Sequence, residues 1–368
     1  MKIREISLND YEQIRLLLIR YGLCLSNKYL WEFLWKENPE IKDNKTRKKW
    51  PVGWVLENDN GRIVGNLWNI LMIYKFKGKK LIAAISSSWT VDKTYRAYSI
   101  PLHEKFFKQK DVDIFIATTA NYTAGRVLEL AFKAKKIPFN SYNEVMFWIT
   151  NYNDFVKSFM IKKDIPLKML SYPISLGLKV VDNIRNKRRI VRDKTIKIRE
   201  YHCFDQRFDV FWEKLKNKNW GKLLCTRNGE WLEWHYKAYR NTDKLSIFCV
   251  EKNKEITAYG ILRRADNPKI NLTRMKLVDL QTIDDDKIVI EEIIKSCIKK
   301  CTREKISVFE IIGFNSEKRN IFEKYNPLKR ELQSWPFFYK VNDDDLDLKL
   351  ENSGVWDICE YDGDASLI

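Results

Sequence analysis

Residues 91 to 102 hold the pattern with the most chemical content. Val91, Asp92, Tyr95, Arg96, Ala97, Tyr98, Ser99, Ile100, Pro101 and Leu102 lead from an apolar strand end, through a short turn, into the start of a helix. The first amide N–H groups of a helix lack intrahelical acceptors and carry the positive end of its dipole, so such a corner suits a phosphate or diphosphate. Arg96 adds a charged donor. Ala97 and Ser99 are small enough for a ligand to approach the backbone, whereas Pro101 has no amide hydrogen to give. Just upstream, Ser86, Ser87 and Ser88 suggest a nucleophile. They lack a glycine-flanked elbow and lie inside a strand, so packing or acceptor contacts are the expected role.

The elements that must position this corner read as a mixed α/β sheet. Helical spacing of apolar residues predicts helices over 6–21 and 29–35, and residues 40–51 form a charged loop. Alternation predicts strands over 54–56, 63–73 and 81–91, joined by turns at Gly61 and Gly78. A helix at 101–109 with Pro101 in its first turn follows, then a strand at 112–118, a helix at 123–134 and a closing strand at 145–149.

The pattern then repeats. Lys2 to Glu5 reads KIRE, and so does Lys197 to Glu200. The hairpin strands 54–57 and 62–65 have counterparts in 247–251 and 255–260. Asn121 precedes Glu129 with Leu128 between them, as Asn315 precedes Glu323 with Phe322 between them. Several correspondences in one order indicate two copies of one α/β unit. The second copy should carry helices at 208–215 and 231–239, strands at 245–251, 256–264 and 274–283, then a helix at 288–302, a strand at 306–312, a helix at 316–325 and a closing strand at 337–341. The expected organisation is therefore a domain at 1–150, a partly helical basic linker at 151–194, a second domain at 195–341 and an acidic tail at 342–368. That tail ends in Asp362, Gly363 and Asp364, with Trp356 and Tyr361 able to dock it on the body.

A chain of 368 residues with 45% hydrophobic and 13% aromatic residues can build two cores. Seven scattered cysteines without a CxxC pair, and three histidines, point to free thiols and to no metal site. The N-terminus lacks the apolar run of a signal peptide, and no segment has the roughly 20 apolar residues of a membrane span, so a cytoplasmic protein is expected. The net charge of +18 favours anionic partners, but its diffuse spread does not single out nucleic acid. It clusters at Arg47 to Lys49 and Arg185 to Arg189. Residues 165–194 read first as a linker packing on the body and second as an interfacial segment contacting an anionic membrane from its inner face.

The segment Val91, Asp92, Tyr95, Arg96 with Ile100 and Leu102 resembles the diphosphate-binding motif of the GNAT superfamily of acyl-CoA N-acyltransferases, in which the loop positions are glycines. The stretch Asn121, Ala124, Leu128, Glu129 is similar to the one that follows the next strand in that family, and the element order of residues 1–150 matches it. The resemblance implies two tandem GNAT-like domains and acetyl-CoA or another acyl-CoA as co-substrate. Trp89, Thr90, Val91, Arg96, Ala97, Tyr98, Ser99, Ile100, Asn121 and Ala124 would hold the coenzyme. In the second copy Val278 to Ile283 is followed by Asp284, Asp285 and Asp286, whose carboxylates would repel a diphosphate, so only the first copy is expected to bind it.

Transfer to an amine needs a base for the ammonium proton and an acid for the departing thiolate. The family's usual tyrosine position is Leu128 here. The candidates are therefore Glu57, Asp92, Tyr122 and Tyr142. The expected acceptor is a small-molecule or glycan amine, such as an amino sugar or envelope-glycan precursor. Competing readings are an aminoacyl-tRNA-dependent transferase of the peptidoglycan type and a non-catalytic binding protein on a degenerate fold. The oligomeric state is not encoded in these features.

Overall fold

The computed structural model describes residues 1–23, 27–43, 49–139, 142–165, 171–185, 196–240, 242–332 and 337–367, without the side chains of 43, 181 and 183–185. Cys24, Arg47, Lys48 and the basic run after residue 185 lie outside the described residues.

The chain opens with β1 (Lys2–Glu5), and Ser7 and Asp10 close a reciprocal cap before α1 (Tyr11–Arg20), so the helix starts five residues later than apolar spacing alone suggests. Asn27 caps α2 (Lys28–Lys36), and α3 (Pro39–Asp43) follows. Then come β2 (Gly53–Glu57), β3 (Ile63–Phe76), β4 (Lys79–Val91), α4 (Ser99–Phe107), β5 (Ile114–Ala117), α5 (Tyr122–Phe132), β6 (Lys135–Lys136) and β7 (Glu144–Ile149). Beyond them lie α6 (Tyr152–Lys162), α7 (Ser171–Arg185), β8 (Ile198–Tyr201), α8 (Gln206–Lys218), β9 (Leu224–Cys225) and α9 (Gly229–His235). The remainder is β10 (Leu245–Lys252), β11 (Glu255–Arg264), β12 (Arg274–Thr282), α10 (Lys287–Arg303), β13 (Val308–Ile311), α11 (Ser316–Glu323), β14 (Leu328–Glu331), β15 (Phe338–Val341) and α12 (Asp344–Leu350).

Two compact units result, and each is discontinuous: 1–142 with 219–238 and 333–368, and 143–218 with 239–332. The first has a sheet in the order β1-β2-β3-β4-β5-β15-β6, with β9 paired to β3; the second runs β14-β7-β13-β12-β11-β10-β8. The pairings are antiparallel except β4 with β5 and β12 with β13. In each unit a helix, α4 or α10, makes the crossover between the parallel strands, as such a connection requires.

The two closing strands are where the sequence expectation fails. Strand 145–149 was expected to close the first sheet, but β7 pairs with β13 and β14 of the second. Strand 337–341 was expected to close the second sheet, but β15 pairs with β5 and β6 of the first. Alternation identifies a strand and its buried face; it does not say which of two equivalent edges the strand will complete. The α9 segment and the acidic tail likewise belong to the first unit.

The first unit's core lies under α4, where Leu102 and Phe106 pack with Trp54, Leu67, Ala84, Val112 and Phe115. Burying these side chains at roughly 25 cal/mol per Å² is what fixes α4 against β4. Trp31, Trp35 and Trp68 form a second knot of tilted and edge-on rings, and the Trp35 indole donates to the Asn69 carbonyl at 2.9 Å. Among the described residues no helix is long and apolar enough to cross a membrane.

Candidate active site

In the first unit β4 and β5 pair only from Ala83 with Ile114 to Ser86 with Ala117, while β4 runs on to Val91. The two strands therefore part after Ser86, and among the described residues the edge of β4 from Ser87 to Val91 has no strand partner on that side. A bulge marks the parting: Ser88 and Trp89 oppose the single residue Leu67 of β3. Ser88 has φ of 52°, and its carbonyl accepts from Asn66 Nδ2 at 2.6 Å. Bulges re-aim a strand at such positions.

A carboxylate stands in this gap. Asp364 Oδ1 accepts from Thr118 Oγ1 at 2.6 Å and Oδ2 accepts from Thr119 Oγ1 at 3.0 Å, while the Ser87 hydroxyl also bonds to it. Asp364 is 8% exposed. Burial pushes its carboxyl above the usual carboxylate range, partly offset by the three hydroxyl donors. The preceding Gly363 lies so close to Thr118 that a Cβ there would come within 2.4 Å of its methyl group.

The tail that carries Asp364 is held from below. Arg227 and Asp362 form a fully buried ion pair, with Nη2 at 2.8 and 3.0 Å from the two carboxylate oxygens. Tyr74 of β3 donates to the Asp362 carbonyl at 2.7 Å, and Tyr361 donates to the Thr226 carbonyl at 2.6 Å. His235 Nε2 and Ser366 Oγ lie 2.6 Å apart. The expectation that Trp356 and Tyr361 dock this tail is met: both are buried. Asp364 itself was legible in sequence only as part of an acidic end.

On the other wall, His103 of α4 sits under the β4 edge, its Nε2 3.5 Å from Ser86 Oγ and its ring edge-on to Trp89 at 4.3 Å. Complete burial pushes its pKa down to about 3, so it is neutral at physiological pH.

The anticipated diphosphate corner is built differently from expectation. Residues 93–98 form a 3-10 helix that runs directly into α4, which begins at Ser99 rather than Pro101. The Tyr95 amide donates to the Asp92 carbonyl, the Ser99 amide to the Arg96 carbonyl and the Lys93 amide to the Tyr21 hydroxyl. Those donors are already engaged within the chain. Arg96, Ala97, Tyr98 and Ile100 are exposed, and Ser99 Oγ donates to the Arg96 carbonyl at 2.6 Å. Pro101 falls in the first turn, where its missing amide hydrogen costs nothing.

The remaining anticipated residues divide. Thr90 is buried at the β4 end and Val91 follows it. Asn121 caps α5, its Oδ1 accepting from the Ala124 amide at 2.9 Å. Glu57 is tied to Arg4 at 2.6 Å on the outer β1–β2 pair, and Asp92 to Arg20 at 3.0 Å. Asp92 makes no side-chain cap bond to the 3-10 helix. Tyr122 is 76% exposed at the start of α5. Tyr142 is buried, which holds its hydroxyl well above the usual range, and it feels the charges of Asp362 and Asp364. Among the described residues no cluster of three or more His, Cys, Asp or Glu could hold a metal.

The second unit offers the matching gap in a filled form. β12 and β13 pair from Arg274 with Val308 to Leu277 with Ile311, and β12 continues to Thr282. Lys318 of α11 is 2% exposed and donates to the Leu280 carbonyl at 2.9 Å. Asp279 beside it accepts from the Tyr259 hydroxyl at 2.8 Å. The start of α10 is occupied by its own cap: Asp286 Oδ1 accepts from the Ile288 and Val289 amides at 2.9 and 3.3 Å.

No family model matches the chain, and no curated protein matches it either. Solved structures do. A GCN5-related N-acetyltransferase from Anabaena variabilis aligns with 93% of this chain and 73% of its own, at TM-score 0.53 and 10% identity. The fold is that of the GNAT acyltransferases. Within this GNAT fold, a Saccharomyces cerevisiae N-myristoyltransferase with bound myristoyl-CoA and inhibitors aligns with 92% of this chain and 80% of its own, at TM-score 0.56 and 12% identity. A probable N-acyltransferase from Enterococcus faecalis aligns with 92% of this chain and 72% of its own, at TM-score 0.54 and 10% identity.

The first unit fits the co-substrate that the GNAT fold implies at one place and not at another. The unpaired β4 edge from Ser87 to Val91 can add to an extended amide-bearing chain as a strand edge does. The amides of Tyr95 and Ser99 are engaged within the chain, and the Arg96 side chain is exposed.

Proposed function

We propose that this protein is an acyl-CoA-dependent N-acyltransferase, with the acyl arm in the β4–β5 gap of the first unit and none in the second. The observation that carries the reading is Asp364, a buried carboxylate of raised pKa standing where the paired strands part. Bound acyl-CoA would supply a thioester carbonyl; the chain's own groups supply the rest. Asp364 takes the proton of the attacking ammonium, and its raised pKa brings it nearer the working pH of a general base. Ser87, Thr118 and Thr119 hold its two oxygens in place. Tyr142 keeps its proton at neutral pH and is the candidate donor to the thiolate. Trp89, Thr90 and Val91 line the arm, and Arg96 meets phosphate. Glu57 and Asp92 serve as arginine-bound struts.

The acceptor we propose is an amine on a sugar or envelope-glycan precursor. The +18 charge suits a phosphorylated carrier of such an amine. We place the protein in the cytoplasm, with peripheral contact to an anionic membrane through 165–194.

The test is calorimetry with acetyl-CoA and desulfo-CoA, followed by transfer assays on amino sugars with wild type and Asp364→Asn. Coenzyme binding by both proteins, with turnover lost only in the variant, supports the reading. Absence of binding at millimolar coenzyme refutes it and turns attention to aminoacyl-tRNA as donor or to a non-catalytic role.

A further inference from the structure

The second unit carries a cavity of about 760 Å³ between α6, α7 and the ends of α10 and α11. Its walls mix aromatic and apolar groups with cations: Trp148, Tyr172, Leu176, Tyr325, Lys179 and Lys305. Its volume is in the range of small-molecule sites. The lining carboxylate Asp182 is occupied by the Tyr152 hydroxyl at 2.5 Å, and the lining Lys324 is paired with Glu291 at 2.7 Å. Lys179 and Lys305 have no ion-pair partner among the described residues and are exposed.

The helix that forms one wall is apolar on its open side as well. Along α7, Tyr172, Ile174, Leu176, Leu178 and Val180 are 64, 44, 46, 38 and 57% exposed. On the adjoining α6 segment Phe159 and Ile165 are 48 and 39% exposed, with Lys162 and Lys163 exposed between them. The sequence continues from α7 into Arg185, Lys187, Arg188 and Arg189. Exposed apolar side chains around α7, with cations that outnumber the acids Asp164 and Asp182, suit a segment that lies in a membrane interface.

We propose that α6 and α7 dock this protein on an anionic bilayer. Ile174, Leu178 and Val180 enter the acyl boundary, and the cavity beside α7 receives a phospholipid head group through Lys179 and Lys305. The proposal rests on the reading of peripheral membrane contact and is separate from acyl transfer. Charge complementarity selects the lipid: an unpaired pair of lysines at the mouth of an apolar-walled cavity suits an anion attached to a hydrocarbon body.

Co-sedimentation of the full chain with phosphatidylcholine vesicles, with and without phosphatidylglycerol, tests it. Anionic vesicles should bind at least about 10-fold more protein than neutral ones at low salt, and the difference should shrink at high salt. Lys179→Glu with Lys305→Glu, and separately Ile174→Glu with Leu178→Glu, should each lower binding about 10-fold. Lys252→Glu with Lys254→Glu, on the exposed β10–β11 turn, changes charge equally and should bind as wild type. Equal loss in that control would mean diffuse charge alone and overturns the proposal. So does a concentration-dependent dimer lost with Ile174→Glu and Leu178→Glu while vesicle binding is absent. Coenzyme affinity measured on the same samples keeps the outcome distinct from that of acyl transfer.

Discussion

The two strand gaps differ in what fills them. In the first unit the gap between β4 and β5 holds a carboxylate, Asp364, brought in from the far end of the chain, and the first turn of α5 beside it carries Ala124 and Gly125. In the second the gap between β12 and β13 holds an ammonium, Lys318, from the first turn of α11, followed by Arg319. The capping asparagines set the register: Asn121 receives the Ala124 amide as Asn315 receives the Lys318 amide, each at 2.9 Å. Small residues stand in the first unit where the second has long cations, and on the proposed reading that difference admits an arm to one gap and stops the other. The helix starts are alike in being engaged within the chain, by the Asp92 and Arg96 carbonyls and the Tyr21 hydroxyl before α4 and by the Asp286 carboxylate at α10. Loss of a ligand site needs no change of fold, only a side chain that supplies the missing contacts.

The largest expected effect tests the carboxylate. Asp364→Asn should lower turnover by about 100-fold or more with coenzyme affinity little changed, the scale of a general base. The wild-type rate should rise with pH through the raised Asp364 pKa, and the variant should lack that limb. Because this pKa is raised on folding, its stabilising contribution is present at low pH and is lost as pH rises through it. Denaturation of Asp364→Asn across pH should therefore show a flatter loss toward neutral pH than wild type.

Next is the anchor. Arg227→Met removes the buried cation opposite Asp362, which should cost about 3 to 5 kcal/mol in urea unfolding and release the tail. Arg227→Met with Asp362→Leu should recover most of that stability; no recovery would mean the pair is not what holds the segment.

Importing the second gap's residue into the first sharpens the comparison directly. Ala124→Lys should weaken coenzyme binding by about 10-fold or more, through an ammonium placed in the gap. Lys318→Ala in the second unit should cost about 1 to 3 kcal/mol, since the Leu280 carbonyl loses its donor, and should create no coenzyme site.

A smaller effect concerns His103. Its folded pKa, about 3, lies below the ordinary 6.5, so it stabilises the fold above that ordinary value and the contribution is lost as pH falls between the two. His103→Phe should remove a component on the order of 4 kcal/mol from acid unfolding over that range. The smallest effect belongs to the anticipated base on the outer strands: Glu57→Gln removes one of the two carboxylates on Arg4 while Asp10 stays at 2.7 Å, and should shift stability by about 1 kcal/mol and leave turnover within about threefold.

Much of this arrangement was legible in the sequence. Alternation located β3, β4 and β12, and the two asparagine caps were visible as matched positions. The exchange of β7 and β15 was not, because β5 and β13 present similar edges and no residue in either strand names its partner. The start of α4 was misplaced because a proline marks the first turn of a helix rather than its first residue, and Pro101 lies two residues in. Asp364 was visible in a tail expected to dock, but nothing in its spacing tied it to the ends of β4 and β5. The signal was the apolar company it keeps, since Trp356, Ile358, Tyr361 and Leu367 are all buried.

Hydrogen exchange with and without desulfo-CoA tests the central claim most directly. Protection should appear in residues 87–99 and 118–126 of the first unit and be absent from 278–290 and 312–319 of the second. Protection of the second set, or of neither, would contradict the assignment of the open gap as the coenzyme site.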